Sequence, residues 1–188
     1  MILPIYVYGW PLLRKKSGDI TPEYPGLQQL IANMFETMYK AEGCGLAAPQ
    51  IGLNIRLMVI DGSPMADEKK TEDMLRTFKK VLINPVITAR TGDEWADEEG
   101  CLSFPKIRET VKRPSKVKIE YLDENFQPHS EEYDGMAARI IQHEYDHIEG
   151  VFFIDRISPL RRKLITAKLI AVAKGKVECS YTIKPYKK

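Results

Sequence analysis

The segment of the chain best suited to chemistry is Gln142-His143-Glu144-Tyr145-Asp146-His147. On a helix, His143 and His147 are four residues apart, so both imidazoles lie on one face and can bind one metal ion. Glu144 projects about 100° further round the helix, where it can contact water on that ion without occupying the metal. The segment therefore predicts a metal-dependent hydrolytic site in which Glu144 moves protons.

Two histidines leave the predicted site incomplete, because catalytic zinc-type centres usually have three protein ligands and one open position. The remaining histidine, His129, lies in a polar stretch and is expected at the surface. Downstream carboxylates offer only Glu149 and Glu178, and neither is well placed. Upstream, Cys101 follows a glycine that allows close backbone approach. A thiolate with two imidazoles is a ligand set that suits Zn²⁺ or Fe²⁺.

Helices are predicted on both sides of a strand-rich middle. Apolar residues recur at helical spacing over Leu27–Tyr39. A central helix that carries the two histidines is predicted from Asp134, as its capping residue, to about Glu149. Its side chains Gln142 and Asp146 are expected to orient the site by bonding to ligands or backbone. A last helix is predicted over Leu160–Lys174, opened by a Ser-Pro pair.

Strands are predicted where Val, Ile and Tyr are dense and turn residues flank them. The four segments are Ile55–Ile60, Val81–Thr88, Lys116–Leu122 and Gln127–Tyr133. A turn at Asp123-Glu124-Asn125 predicts that the last two form a hairpin. Because strands and helices do not alternate regularly, we expect an α+β fold: mixed or antiparallel strands around a central metal-binding helix, with an N-terminal and a C-terminal helix.

Length and composition indicate one globular domain over residues 1–188. The chain has 188 residues, 28 Lys+Arg against 26 Asp+Glu, and 44% hydrophobic residues. Near-neutral net charge argues against DNA binding, and no apolar run is long enough to cross a bilayer. Three cysteines and no recognisable signal peptide favour a cytoplasmic protein, which we expect to be a monomer. Asp61–Lys80 is predicted as a surface loop and Val177–Lys188 as a tail.

Three separated motifs resemble the signature motifs of the peptide deformylase family. Gly43-Cys44-Gly45-Leu46-Ala47-Ala48-Pro49-Gln50 is similar to G-x-G-L-A-A-x-Q of that family, Glu99-Gly100-Cys101-Leu102-Ser103 matches E-G-C-L-S, and Gln142 to His147 matches Q-H-E-x-D-H. The three occur in family order, and the resemblance extends from Met1 to about Leu164. The segments that depart from the family, Asp61–Lys80 and Val177–Lys188, lie outside the motifs.

The resemblance implies a metal-dependent hydrolase that removes the formyl group, as formate, from the N-terminal formylmethionine of newly synthesised proteins. It implies that Cys101, His143 and His147 bind one divalent metal ion per chain. In the family this ion is usually Fe²⁺, and Zn²⁺, Ni²⁺ or Co²⁺ can replace it. Glu144 would carry the proton in this scheme. The side-chain amide of Gln50 and the backbone N–H of Leu102 would stabilise the oxyanion.

The resemblance also implies where a peptide would bind. Backbone groups around Gly45 would pair with an extended substrate, and Cys44, Met136 and Ile140 would line the pocket for its methionine side chain. Arg108 corresponds to a position that contacts the downstream peptide backbone in relatives. The basic residues of the last helix are expected to be a solvated face, although the C-terminal helix contacts the ribosome in some relatives; they are Arg161, Arg162, Lys163, Lys168 and Lys174.

Two other functions are compatible with parts of the sequence. A zinc endopeptidase of the H-E-x-x-H type would use Glu144 in the same way and take its third ligand from elsewhere, so Cys101→Ala would leave its metal bound. A ribosome- or RNA-binding protein could hold a purely structural metal. Structural sites are closed by four protein ligands, and no fourth ligand is evident, because Cys44 and Cys179 lie in segments predicted as pocket and tail.

Overall fold

The protein is built on a five-stranded antiparallel sheet and a separate pair of short parallel strands. The computed structural model describes residues 1–66 and 74–186. In these residues the strands are β1 (Ile5–Tyr6), β2 (Gly45–Ala47), β3 (Leu57–Asp61), β4 (Lys79–Gly100), β5 (Arg108–Leu122), β6 (Pro128–Asp134) and β7 (Ile183–Lys184). Strands β2 to β6 pair in chain order, and β1 pairs with β7.

Four helices complete the architecture. They are α1 (Leu27–Lys40), α2 (Gly135–Ile148), α3 (Pro159–Leu164) and α4 (Thr166–Ala173). Helix α1 buries one apolar stripe that includes Ile31, Met34 and Met38, as its spacing predicts. Helix α2 packs against the sheet, mainly on β5 and β2. The predicted α+β fold, with antiparallel strands around the helix that carries the histidines, is confirmed.

Helix α2 is buried on most of its surface and packs against strands β2, β3, β5 and β6. Ala137, Ala138 and Ile141 pack with residues of β3 and β5 in one apolar cluster. Gly150, two residues after the end of the helix, has a φ of 71°. A Cβ there would lie 2.5 Å from the carbonyl oxygen of Arg14, so this exit from the helix requires glycine.

Each predicted strand overlaps one strand of the observed sheet, but two of the observed strands are much longer than predicted. Strand β4 continues twelve residues beyond Thr88 to Gly100, and β5 begins at Arg108 instead of Lys116. The register pairs Gly100 with Arg108 across the turn between them. These extensions have few apolar residues, since the inward positions of β5 include Glu109 and Arg113 as well as Val111. Charged inward positions hide the period-two pattern on which strand prediction depends.

Two details of the predicted helices are wrong. Asp134 occupies the capping position of α2, but its side chain makes no capping hydrogen bond. The last helix, predicted as continuous over Leu160–Lys174, is divided into α3 and α4 at Ile165. The hydroxyl of Thr166 donates to the carbonyl of Arg162 at 3.2 Å, the acceptor that the Thr166 N–H would use in a continuous helix.

The predicted loop and tail both contain regular structure. Asp61 ends β3, short 3₁₀ turns follow at Ser63–Met65 and Met74–Thr77, and β4 begins at Lys79, while residues 67–73 lie outside the described part. In the predicted tail, strand β7 pairs in parallel with β1; residues 187–188 are not described. None of the helices in the described ranges has both the length and the apolar character needed to cross a bilayer.

Candidate metal centre and active site

Two histidines of helix α2 and one cysteine from a nearby turn lie close together. His143 and His147 lie one helical turn apart, with ring centroids 5.3 Å from each other. Cys101 comes from the turn that follows β4, and its Sγ lies 3.2 Å from Nε2 of His147. One ligand atom from each of the three residues lies within 4.8 Å of the others. A thiolate and two imidazoles at this spacing fit a four-coordinate divalent metal such as Fe²⁺ or Zn²⁺.

A hydrogen bond to the carboxylate of Glu99 orients the first of the two histidines, His143. Nδ1 of His143 is 2.9 Å from Oε2 of Glu99, so Nδ1 carries the hydrogen and the opposite nitrogen, Nε2, is available to a metal. Burial lowers the pKa of His147 well below its ordinary value, which favours the neutral form that binds a metal.

Glu144 lies beside this group with almost no access to solvent. Its side chain contacts the backbone of Gly45, where an added Cβ would lie only 2.3 Å from Oε1 of the carboxyl group. Oε2 of Glu144 has no hydrogen-bond partner in the described residues. Burial raises the pKa of Glu144 to about 7. A carboxyl group with a pKa near neutrality can both accept and return a proton.

Gln50 is held with its amide hydrogens directed toward Cys101. Its Oε1 accepts a hydrogen bond from the backbone N–H of Ala47 at 2.8 Å, which defines the orientation of the amide. Its Nε2 lies 3.6 Å from Sγ of Cys101 and 3.3 Å from Oγ of Ser103. Leu102, the residue between them, is half-buried in the same turn. The amide of Gln50 is therefore a preorganised donor at the metal group.

Beneath the site lies a buried network of charges. Arg113, only 1% exposed, donates to both carboxylate oxygens of Glu99 at 2.6 and 2.9 Å and to Asp146 at 2.8 Å. Arg139 also donates to Glu99, and Arg156 donates to both oxygens of Asp146. Burial would raise the pKa of Glu99, but Arg113 and His143 hold it well below its usual range. Glu99 is thus a permanent anion that orients His143.

Gln142 and Asp146 were both expected to orient the site, and the partners of Asp146 differ from those expected. Gln142 donates to the backbone carbonyls of Pro114 and Ala138, so its predicted bonding to backbone is confirmed. Asp146 was predicted to bond to a ligand or to backbone, and this is wrong, because its carboxylate accepts from Arg113 and Arg156. Asp146 is thus connected to the site indirectly. Arg113 donates to both Asp146 and Glu99, and Glu99 accepts from His143.

A cleft of about 590 Å³ opens over the metal group. This volume is typical of a site for a small molecule or a short peptide. Ten of the eleven site residues expected from the sequence line it: Cys44, Gly45, Gln50, Cys101, Leu102, Arg108, Met136, Ile140, His143 and Glu144. The eleventh, His147, lies below the cleft lining and is 2% exposed.

The residues expected to bind the peptide all line the cleft. Met136 and Ile140 project from α2 one turn apart, and Cys44 packs against the same apolar cluster. Burial and the charge of Glu144 raise the pKa of Cys44 to about 12, so it remains a neutral thiol. Arg108 is exposed at the rim and pairs with Glu98 at 2.6 Å. The cleft is therefore apolar around Cys44, Met136 and Ile140 and charged around Arg108 and Glu98.

The C-terminal segment also contributes to the cleft, which was not expected from the sequence. Residues 178–181 line it, and the hydroxyl of Tyr181 donates to the carbonyl of Leu102 at 2.8 Å. Glu99 and Arg113 were missed as well. No local sequence pattern marks Arg113 or Tyr181, because a charged residue at an inward position of β5 breaks the apolar alternation and Tyr181 lies in a segment without periodicity.

Comparisons with known proteins agree with this geometry. Residues 2–163 match the family model described as polypeptide deformylase. A peptide deformylase of Christiangramia forsetii is 51% identical over 98% of this chain and 96% of its own length. One of Cytophaga hutchinsonii is 49% identical over the full length of both chains. The crystal structure of a peptide deformylase from Legionella pneumophila superposes with a TM-score of 0.80 at 39% identity, covering 94% of this chain and 98% of that one.

Neither the endopeptidase nor the RNA-binding interpretation finds support in these matches. The family model covers all three motifs. In the described residues, the group that could hold a metal is Cys101, His143 and His147, which matches the ligand set of the resemblance. The chain belongs to the polypeptide deformylase family of metal-dependent hydrolases.

Proposed function

We propose that this protein removes the N-formyl group, as formate, from the N-terminal formylmethionine of newly synthesised proteins. The reaction is the hydrolysis of a formamide, which needs a nucleophilic water, a proton carrier and a donor for the developing oxyanion. The observation that carries the proposal is the convergence of Cys101, His143 and His147 within 4.8 Å, at a cleft also lined by Glu144 and Gln50.

We propose that Cys101, His143 and His147 hold one divalent ion per chain, with Fe²⁺ as the native metal and Zn²⁺, Ni²⁺ or Co²⁺ as substitutes. The mixed thiolate and imidazole donors suit all four of these ions. Held by these three residues, a divalent ion would supply Lewis-acid chemistry, since such an ion can lower the pKa of water from about 15.7 to about 7. With three protein ligands, one coordination position remains for water or substrate.

Glu144 is the proposed proton carrier. It accepts a proton from the attacking water and returns it to the departing amine, and its pKa of about 7 suits both steps at neutral pH. The backbone of Gly45 packs directly against its carboxyl group. A side chain at position 45 would displace the carboxyl group, so glycine is needed here to keep the proton carrier in place.

The proposed oxyanion donors are the side-chain amide of Gln50 and the backbone N–H of Leu102. The hydrogen bond from Ala47 keeps the oxygen of the Gln50 amide occupied, so that its nitrogen faces the site. A preorganised donor of this kind typically lowers the barrier by about 3–4 kcal/mol, because its orientation costs nothing at the moment of reaction.

The substrate is proposed to bind as an extended peptide along Gly45, with its methionine side chain between Cys44, Met136 and Ile140. An unbranched thioether fits such an apolar wall with little strain. Arg108 would contact the peptide backbone downstream of the methionine. Arg108 and its ion-pair partner Glu98 are both exposed, so the guanidinium of Arg108 is accessible to a bound peptide.

We further propose that the protein acts as a cytoplasmic monomer and that the basic residues of α3 and α4 can contact the ribosome. Arg161, Lys163 and Lys168 are exposed on these helices. Arg161 is paired with Glu109 at 2.9 Å, which reduces the positive charge of this surface. The proposed contact is therefore weak and salt-dependent.

The test is formate release from a formyl-Met peptide, measured together with the metal content of protein purified without oxygen. We expect formate, and about one iron per chain by the ligand count. Activity should fall on aeration because the Cys101 thiolate and Fe²⁺ are oxidisable. Activity that survives prolonged aeration, with no effect of added reductant, would indicate Zn²⁺ instead.

Cys101→Ala separates the proposal from the endopeptidase alternative. We expect this variant to lose both metal and formate release, while Cys179→Ala, a matched thiol deletion outside the ligand group, keeps its metal. A Cys101→Ala protein that retains metal would contradict the proposed ligand set. Metal-loaded protein that releases no formate would contradict the proposed function.

A further inference from the structure

The C-terminal segment reaches the active-site cleft from outside the residues that define the family. The family model ends at residue 163, whereas residues 178–181 line the cleft. The segment is fixed in place beyond them, since β7 pairs with β1 and the indole of Trp10 donates to the carbonyl of Lys184 at 2.7 Å. Tyr181 therefore lies on an anchored segment at the edge of the site.

Tyr181 contacts the turn that carries a proposed oxyanion donor. Three successive carbonyls of this turn each accept a hydrogen bond. The Cys101 carbonyl accepts from the N–H of Phe104 at 2.8 Å, and the Ser103 carbonyl accepts from the N–H of Tyr8 at 2.9 Å. The Leu102 carbonyl, between them, accepts from the Tyr181 hydroxyl at 2.8 Å.

These three hydrogen bonds differ in the type of donor. The outer two come from backbone N–H groups, which almost any residue at position 104 or 8 would provide. The central bond comes from a side chain, so it depends on the residue at position 181. The bond from Phe104 restrains the peptide plane that contains the Leu102 N–H, and the bond from Tyr181 restrains the next plane along the chain. Together they restrain both dihedral angles of Leu102.

We propose that Tyr181 is a positioning residue that aligns the backbone N–H of Leu102 by donating its hydroxyl hydrogen to the Leu102 carbonyl. The inference rests on the proposed function, in which that N–H binds the oxyanion. Oxyanion stabilisation depends on donors that are oriented before the reaction begins. Without the hydroxyl, the plane of the Leu102 carbonyl loses this restraint, and the orientation of the Leu102 N–H depends on the bond from Phe104 alone.

The test is Tyr181→Phe, which removes only the hydroxyl group. We expect kcat for a formyl-Met peptide to fall about tenfold while KM stays within about twofold, because alignment matters most in the transition state. Metal content and Tm should match the parent. The carbonyl ¹³C resonance of Leu102 should shift, since it loses a hydrogen bond. Tyr186→Phe is the matched control: Tyr186 lies on the same segment, packed against Trp10 with ring centroids 5.0 Å apart, and should retain parental kinetics.

Two outcomes would overturn the inference. One is an unchanged kcat in a Tyr181→Phe protein whose Leu102 resonance has shifted, because the bond would then be lost without consequence for catalysis. The other is a fall in kcat accompanied by an equal loss of bound metal, which would make the role of Tyr181 structural. Failure of the proposed function is distinguishable, since the parent protein itself would then release no formate.

Discussion

Ion pairs of the same chemical kind lie beneath the cleft and at its edge, and they differ in exposure. Beneath it, the floor pairs join Arg113 to Glu99 and Asp146, with side chains 1–5% exposed. At the edge, the rim pair joins Arg108 to Glu98, with both side chains about three-fifths exposed. The N–O distance is 2.6 Å in both Arg113–Glu99 and Arg108–Glu98.

Ion pairs with equal N–O distances can therefore contribute very differently to the stability of the protein. An exposed pair typically contributes about 0.2–1 kcal/mol, because water solvates either partner when the other is removed. Removing one partner of a buried pair typically costs about 3–5 kcal/mol, because the remaining charge is left without compensation. The floor pairs thus tie the geometry of His143 to the folding of the protein, whereas the rim pair leaves Arg108 free to exchange partners.

The largest expected effect is that of Glu144→Ala, which removes a buried carboxyl outside the floor pairs. We expect the variant to keep its metal and lose about 10²- to 10⁴-fold in kcat, because the proton carrier is lost and the ligands remain. Formate release and metal analysis measure this. Glu132→Ala, an exposed carboxylate on β6, is the control and should match the parent. Turnover within a few-fold of the parent would remove Glu144 from its proposed role.

Arg113→Met tests the floor pairs directly. We expect the free energy of unfolding to fall by about 3–5 kcal/mol, since Glu99 and Asp146 both lose a buried partner. Urea denaturation of the metal-depleted variant and parent measures the difference without a contribution from metal binding. A loss below about 1 kcal/mol would make the floor pairs equivalent to the rim pair and would remove the contrast between them.

Glu99→Gln is expected to weaken metal binding by about 10- to 100-fold, because the amide cannot orient and polarise His143 as the carboxylate does. Competition with a chelator measures the affinity. Glu98→Gln provides a matched control, since this neighbouring residue faces solvent and pairs with Arg108. If both variants bound metal equally, the hydrogen bond between Glu99 and His143 would not contribute to metal affinity.

The smallest expected effect is that of Arg108→Met at the rim. The free energy of unfolding should change by less than about 1 kcal/mol, because Glu98 is solvated without its partner. If Arg108 contacts the substrate backbone as proposed, KM should rise while kcat is retained. Steady-state kinetics with a formyl-Met tripeptide, beside urea denaturation, separates the two effects. A KM equal to that of the parent would argue against the proposed contact.

Much of the site was predictable because its residues follow local rules. His143, Glu144 and Met136 lie on a helix whose apolar period is visible in the sequence, and the period determines which side chains share a face. The third ligand could not be derived in this way. Sequence rules left Cys101 as one candidate beside two carboxylates, and the family resemblance favoured it.

The parts that escaped prediction depend on contacts between distant segments. Arg113 occupies an inward position of β5 that propensity assigns to an apolar residue, and its burial is explained only by Glu99 and Asp146. Tyr181 lies in a segment without helical or strand periodicity, so its contact with Leu102 follows from the pairing of β1 with β7. Such pairings have no signature in a single sequence.

The pairing of β1 with β7 joins Ile5 to Ile183, so it closes a loop that contains every other helix and strand described above. Closing so long a loop is entropically costly, and contacts of this range form late in folding. During translation, the first strand emerges long before its partner has been polymerised. The part of the catalytic cleft that residues 178–181 form is therefore completed only after the whole stretch from residue 5 to residue 183 has been synthesised.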